Sequence, residues 1–156
     1  MAERWWSAPM EGDGGKTVIV TGRDHLDKVI GSGKFPYLIR VSWKYNSLPD
    51  GFPDEADAEL MGRVTDAFEE TFRKDKAAYM VAIYTGEGSR DWLFYTGNLG
   101  IFNKVFNRAL EDIGETVPFE IEAQSDPDWT DYKEMRELSY AGFSVFHDEA
   151  LIPAIQ

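Results

Sequence analysis

Between Tyr37 and Tyr45 apolar and polar side chains alternate, with only Leu38 out of pattern, and no other stretch constrains the fold as tightly. Tyr37, Ile39, Val41, Trp43 and Tyr45 fall on one side of an extended backbone, with Arg40, Ser42 and Lys44 on the other. Successive side chains of a strand point to opposite faces, so this is a strand with one buried face and one at least partly wet face. Such a strand needs neighbours in a sheet and a layer over its apolar side.

The following sequence supplies both. Leu48-Pro49-Asp50-Gly51-Phe52-Pro53 is a loop by its turn residues. After it, Leu60, Val64, Ala67, Phe68 and Phe72 recur at helical spacing. That stripe predicts a helix to about Lys74, capped by Asp54, with Glu55 and Asp57 near its positive end and Arg73 and Lys74 near its negative end. Ala78 to Tyr84 and Asp91 to Thr96 read as a hairpin around Gly86-Glu87-Gly88-Ser89. Asn98 caps a second helix striped by Phe102, Val105, Phe106, Ala109, Leu110 and Ile113 and stopped at Gly114. Phe119 to Ala123 is a last strand, and Pro118 at its start suits a sheet edge.

From Tyr37 to Ala123 the order is therefore β-α-β-β-α-β, the ferredoxin-like split βαβ unit of an α+β fold. In that topology the first and last strands are antiparallel neighbours. Arg40 and Lys44 then lie beside Glu120 and Glu122 on the wetter face, a pairing of opposite charges.

Two additions flank this core at 37–123. Residues 5–36 read as an N-terminal hairpin about the turn Glu11-Gly12-Asp13-Gly14-Gly15, then a short helix from Asp24 to Ile30 ended by Gly31-Ser32-Gly33. Residues 124–156 read as a turn, a helix to about Leu138 and a tail carrying Phe143, Val145, Phe146, Leu151 and Ile152. So apolar a tail is expected to pack back on the domain, with exchange between two subunits as the alternative. A length of 156 residues suits one domain, 1–156.

The formal net charge of −12 repels phosphate backbones and anionic membranes, so neither nucleic acid nor a membrane is an expected partner. It suits a basic protein partner, or simply solubility. The absence of cysteine excludes disulfides, thiolate metal sites and cysteine nucleophiles, and fits a cytoplasmic location. No segment reads as a bilayer span or a signal peptide. A monomer or weak homodimer is expected.

Chemistry-bearing clusters are few. The glycines of Thr85-Gly86-Glu87-Gly88-Ser89-Arg90 precede a strand, whereas a phosphate loop leads into a helix, so they read as a turn. Arg90 is placed to hold a carboxylate, either internally on Asp126 or Asp128 or on the acid group of a ligand. Asp126, Asp128 and Asp131 surround Trp129 without the glycine and spaced ligands of a calcium loop, and Asp126 and Asp128 read as caps of a turn and helix start, with Trp129 and Tyr132 packed on the sheet. His25 and His147 are too few for zinc and have no nucleophile beside them. No cofactor, metal or catalytic residue is expected. Arg90, Asp91, Tyr95, Asp126, Asp128, Trp129 and Tyr132 are the candidate ligand- or partner-binding residues.

Asp50-Gly51-Phe52-Pro53, the hairpin Tyr84 to Tyr95 and Asp126-Pro127-Asp128-Trp129-Thr130-Asp131-Tyr132 together resemble the bacterial family catalogued as domain of unknown function 695, over most of Trp5 to roughly Leu138. More distantly, in architecture and acidic character, the chain is similar to the protein inhibitors that regulate ribonuclease E. That likeness implies a protein-binding regulator on a ferredoxin-like core. A protein-binding regulatory or inhibitory module is thus the leading expectation. The alternatives are a small-molecule binder or enzyme with a pocket of Arg90, Asp128, Trp129 and Tyr132, and an immunity-type protein neutralising a toxin.

Overall fold

The computed structural model describes residues 5–141. Along them run β1 (Trp5–Glu11), β2 (Thr17–Arg23), α1 (Asp27–Gly31), β3 (Tyr37–Lys44), α2 (Glu55–Lys74), β4 (Ala78–Gly86), β5 (Ser89–Thr96), α3 (Leu99–Ile113), β6 (Glu120–Ser125) and α4 (Thr130–Ala141). The fold is α+β. All six strands share one sheet in the order β1-β2-β4-β5-β3-β6, antiparallel at every junction. The apolar tail expected to pack back on the domain lies outside the described residues.

Local chemistry sets the element ends. The Asp54 carboxylate accepts from Asp57 N at the start of α2, and the Asn98 side chain accepts from Ile101 N at the start of α3. Glu87 and Gly88 have φ of 50° and 81°, the left-handed pair that a two-residue hairpin turn between β4 and β5 requires. Glu87 then reaches across to the β1–β2 turn, where its carboxylate accepts from Lys16 N at 3.2 Å. Lys16 Nζ donates to Pro49 O, and Gly88 N to Gly51 O, so three turns are laced at one end of the sheet.

β3 lies between β5 and β6 in the register that charge pairing predicts. Arg40 faces Glu122 and Ser42 faces Glu120. Lys44 Nζ reaches Glu120 at 3.5 Å, while Arg40 turns the other way and bonds Asp91 of β5 at 2.8 Å. The Asp91 carboxylate is the better-buried partner, and ion pairs strengthen as water is withdrawn.

The first face of the sheet is closed by α2 and α3. Phe68 of α2 is the centre of this layer, with ring centroids 5.4 Å from Trp92, 5.6 Å from Phe94 and 5.4 Å from Phe106. Val41, Met61, Val64 and Phe102 are fully buried around it. Trp92 has its one polar atom satisfied by Thr65 Oγ1 at 2.9 Å.

The second face is covered differently. The N-terminal hairpin does not lie over it. β1 and β2 extend the sheet instead, with β2 paired to β4. The cover comes from Leu26, Trp129, Tyr132 and Met135, which bury Trp6, Val20, Leu38, Leu93 and Tyr95. Here Trp6 lies flat against Gly22 of β2, in the space a Cβ would fill, and its Nε1 donates to Ser139 Oγ of α4 at 2.8 Å.

Gly22→Ala drives a methyl into the Trp6 indole and loosens α4 with it. Overpacking of this kind costs about 1–3 kcal/mol. Urea unfolding followed by tryptophan fluorescence should show a midpoint lowered accordingly, with Ile30→Val at a partly buried position as a mild control.

Candidate functional site

Four of the residues singled out in the sequence meet in one cluster. Asp126 ends the connection from β6, and Trp129 N donates to its carbonyl in a tight turn. Trp129 has a left-handed φ of 56°, a conformation rare for a bulky residue. Packing holds it there. Its indole stacks on Tyr95 at 4.0 Å and 8°, its Nε1 donates to Phe35 O, and Tyr132 meets it edge-on at 5.6 Å.

Asp126 ties this turn to the sheet. Its carboxylate accepts from Tyr95 Oη at 2.7 Å, from Thr130 N at 2.8 Å and from Asp131 N at 3.1 Å. Burial would raise the carboxyl's pKa, but the Tyr95 hydroxyl and the two backbone donors outweigh it and hold the group below its usual range. Burial, then the Asp126 carboxylate, pushes the Tyr95 hydroxyl upward. Tyr132 Oη donates to Arg23 O at 2.6 Å. All four residues are buried, and they lock α4 onto the sheet.

The other candidates lie elsewhere. Asp128 is exposed at the turn. Asp91 faces the second side of the sheet, with Arg40 and Ser89 as its partners. Arg90 faces the opposite side, over Trp92 and bonded to Thr85 Oγ1. Arg90, Asp128, Trp129 and Tyr132 therefore do not converge on a common pocket, and Arg90 pairs with neither Asp126 nor Asp128. Adjacent residues of a strand point to opposite faces, and this alternation separates Arg90 from the rest.

The structure opens a different surface. α4 covers only part of the second face. Beyond it the register carries Ala8, Val20, Tyr84, Asp91, Ser42 and Glu120 across all six strands in one row. A groove of about 500 Å³ runs over Val20, Tyr84 and Asp91 of this row, with Met10 and Val18 adding to its apolar floor. A second hollow of about 290 Å³ shares Met10, Val20, Arg40 and Tyr84 and is walled by Asp131, Glu134 and Leu138 of α4. Leu138 is 66% exposed.

Charge around these hollows is one-sided. Glu11, Asp13, Glu87, Asp91, Asp131 and Glu134 line them, against the single cation Arg40. Arg40 is itself neutralised by Asp91 and rests 5.7 Å from the centre of the Tyr84 ring. Burial pushes the Tyr84 hydroxyl up to about 12, with Arg40 pulling it the other way, so at neutral pH it is an uncharged donor at the groove floor. The sequence marked Arg40 and Asp91 but not Met10, Tyr84 or Glu134. The polar side of β3 was the available signal that part of this face stays open.

Among the described residues no group of three or more His, Asp or Glu side chains is arranged to hold a metal ion, and no helix is long and apolar enough to cross a membrane. Fold and surface together define an α+β domain with one sheet face closed by two helices and the other half-open and acid-rimmed. Over residues 4–135 the chain matches the family of unknown function DUF695, and it belongs to that family. A 25-residue stretch is 88% identical to aspartokinase 3 of Bacillus subtilis (strain 168), spanning 16% of this chain and 6% of that protein. A crystal structure of the conserved hypothetical protein Aq1575 from Aquifex aeolicus is similar at 12% identity and a TM-score of 0.27, over 79% of this chain and 50% of that one. At that score it bears no weight on the fold.

Asp126→Ala removes the cap of α4 and leaves the buried Tyr95 hydroxyl without its acceptor, at a cost of about 2–4 kcal/mol. Because the folded pKa of Asp126 lies below its unfolded value, the stability it contributes is complete above about pH 4 and is lost as pH falls through the folded value. Urea midpoints of wild type and variant should therefore differ fully at pH 7 and converge at more acid pH.

Proposed function

We propose that this domain is a protein-binding module that takes a basic segment of a partner protein against the open half of its second sheet face. The observation that carries the reading is the groove over Val20 and Tyr84, apolar in its floor and rimmed by carboxylates with one neutralised arginine among them. An apolar floor supplies affinity by excluding water, and a one-signed rim selects and steers an oppositely charged partner. The net charge of −12 extends that field over the whole molecule.

The strand order β4-β5-β3-β6, with α2 and α3 on one face, supports a ferredoxin-like core beneath this surface. The likeness to the regulators of ribonuclease E extends the reading to a regulatory or inhibitory role. A cytoplasmic location belongs to the same proposal and is in keeping with the absence of cysteine.

The test compares wild type with the triple variant Glu11→Lys, Asp13→Lys, Glu134→Lys, all exposed positions that leave the core untouched. Each is used as bait in a lysate of the source cell. The wild type should retain a stoichiometric basic protein at low salt and release it at about 0.5 M salt, where the Debye length is only a few ångströms. The triple variant should bind that protein at least tenfold more weakly. Equal retention by both baits would remove the groove from the binding surface.

A further inference from the structure

On the opposite side of the sheet, Arg90 stands apart from five other arginines. Arg40, Arg63, Arg73, Arg108 and Arg136 each hold a carboxylate: Asp91, Glu115, Glu70, Asp75 and Asp27. Arg90 forms no ion pair among the described residues, although the chain is rich in Asp and Glu. Its Nε donates to Thr85 Oγ1 at 2.8 Å, and its guanidinium carbon lies 5.9 Å from the centre of the Trp92 ring.

The two Nη atoms take no protein acceptor in the described residues. Among the described residues no fully buried side-chain nitrogen or oxygen is left without a partner, so the unpaired Nη atoms keep some contact with solvent. Burial lowers the Arg90 pKa to about 10, with only the Tyr45 hydroxyl acting against it. Tyr45 Oη in turn donates to Gly51 O, which pins the loop after β3 beside it. A cation has thus been drawn largely out of water with no counter-charge supplied, an arrangement that costs free energy until an anion arrives. Orientation is already fixed by Thr85 and Trp92, so little side-chain entropy remains to be lost on binding.

We propose that Arg90 anchors an anion-binding site, taking two oxygens of a carboxylate or phosphate group on its unpaired Nη fork. This site lies across the sheet from the acid-rimmed groove, takes the opposite charge and stands independently of the function proposed above. A guanidinium fork matches either oxyanion bidentately.

Two measurements on the whole chain test it. In a ¹⁵N-detected spectrum of the wild-type arginine side chains, the Arg90 Nε–H resonance should shift and saturate on adding inorganic phosphate or acetate at constant ionic strength. The other arginine resonances should stay in place. Thermal unfolding at ten times the Kd of the tighter anion should rise by about 3–6 °C over a matched chloride control. Arg90→Gln should abolish that rise. Tighter acetate binding makes the ligand a carboxylate bearer, and tighter phosphate binding makes it a phosphoryl bearer. An Arg90 resonance unmoved by both anions overturns the proposal even if Arg90→Gln fails to fold, as does an equal thermal rise in wild type and a folded variant.

Discussion

Burial of both faces of β5 is the constraint on which the rest of the structure depends. From Trp92 to Thr96 every residue is buried. Trp92 and Phe94 point into the layer made by α2 and α3, while Leu93 and Tyr95 point into the layer closed by α4 and the Trp129 turn. A strand apolar on both sides demands two covers. The first is recruited by helices next to it in sequence. The second has to come from a segment more than thirty residues further along the chain, and the Tyr95–Asp126 bond with the Trp129 stack is the fastening. The strained backbone of Trp129 persists because the stack and the cap over-determine it.

Much of this architecture is legible in the sequence. The alternation from Tyr37 to Tyr45, the stripes of Phe68 and Phe106, and the caps Asp54, Asn98 and Gly114 fix elements through local rules, and local rules survive into the folded chain. The β3–β6 register is legible because charges at fixed spacing had to meet. What stays hidden is long-range. The run Trp92-Leu93-Phe94-Tyr95 signals a strand buried twice over, yet nothing in it says which segment supplies the second cover. The β-branched run at Thr17–Thr21 predicts a strand equally well whether it lies over the sheet or extends it.

The site was legible only in part, for a similar reason. Tyr95, Asp126, Trp129 and Tyr132 stood among seven candidate binding residues, but the rings that make a binding patch in one context make a fastening in another. Burial decides between the two, and burial is a property of the whole fold. Arg90 and Asp91 are neighbours in sequence and belong to opposite surfaces, one to the acid-rimmed groove and the other to the helix side. Tyr84 is only a strand end in the sequence, and the incomplete reach of α4 across the sheet makes it a groove floor.

β6 carries one further consequence. All six of its residues are exposed and it ends the sheet, so among the described residues its outer backbone groups have no strand beside them. An open edge is a template for a second molecule, and chains that stack along such edges do so in register. Glu120 and Glu122 occupy alternate positions of this strand, so a copy docking edge to edge sets carboxylate against carboxylate. The acidity proposed to invite a basic partner on one surface thus also guards another against a second copy. Dissolved salt, by screening that repulsion, weakens the guard and the invitation together.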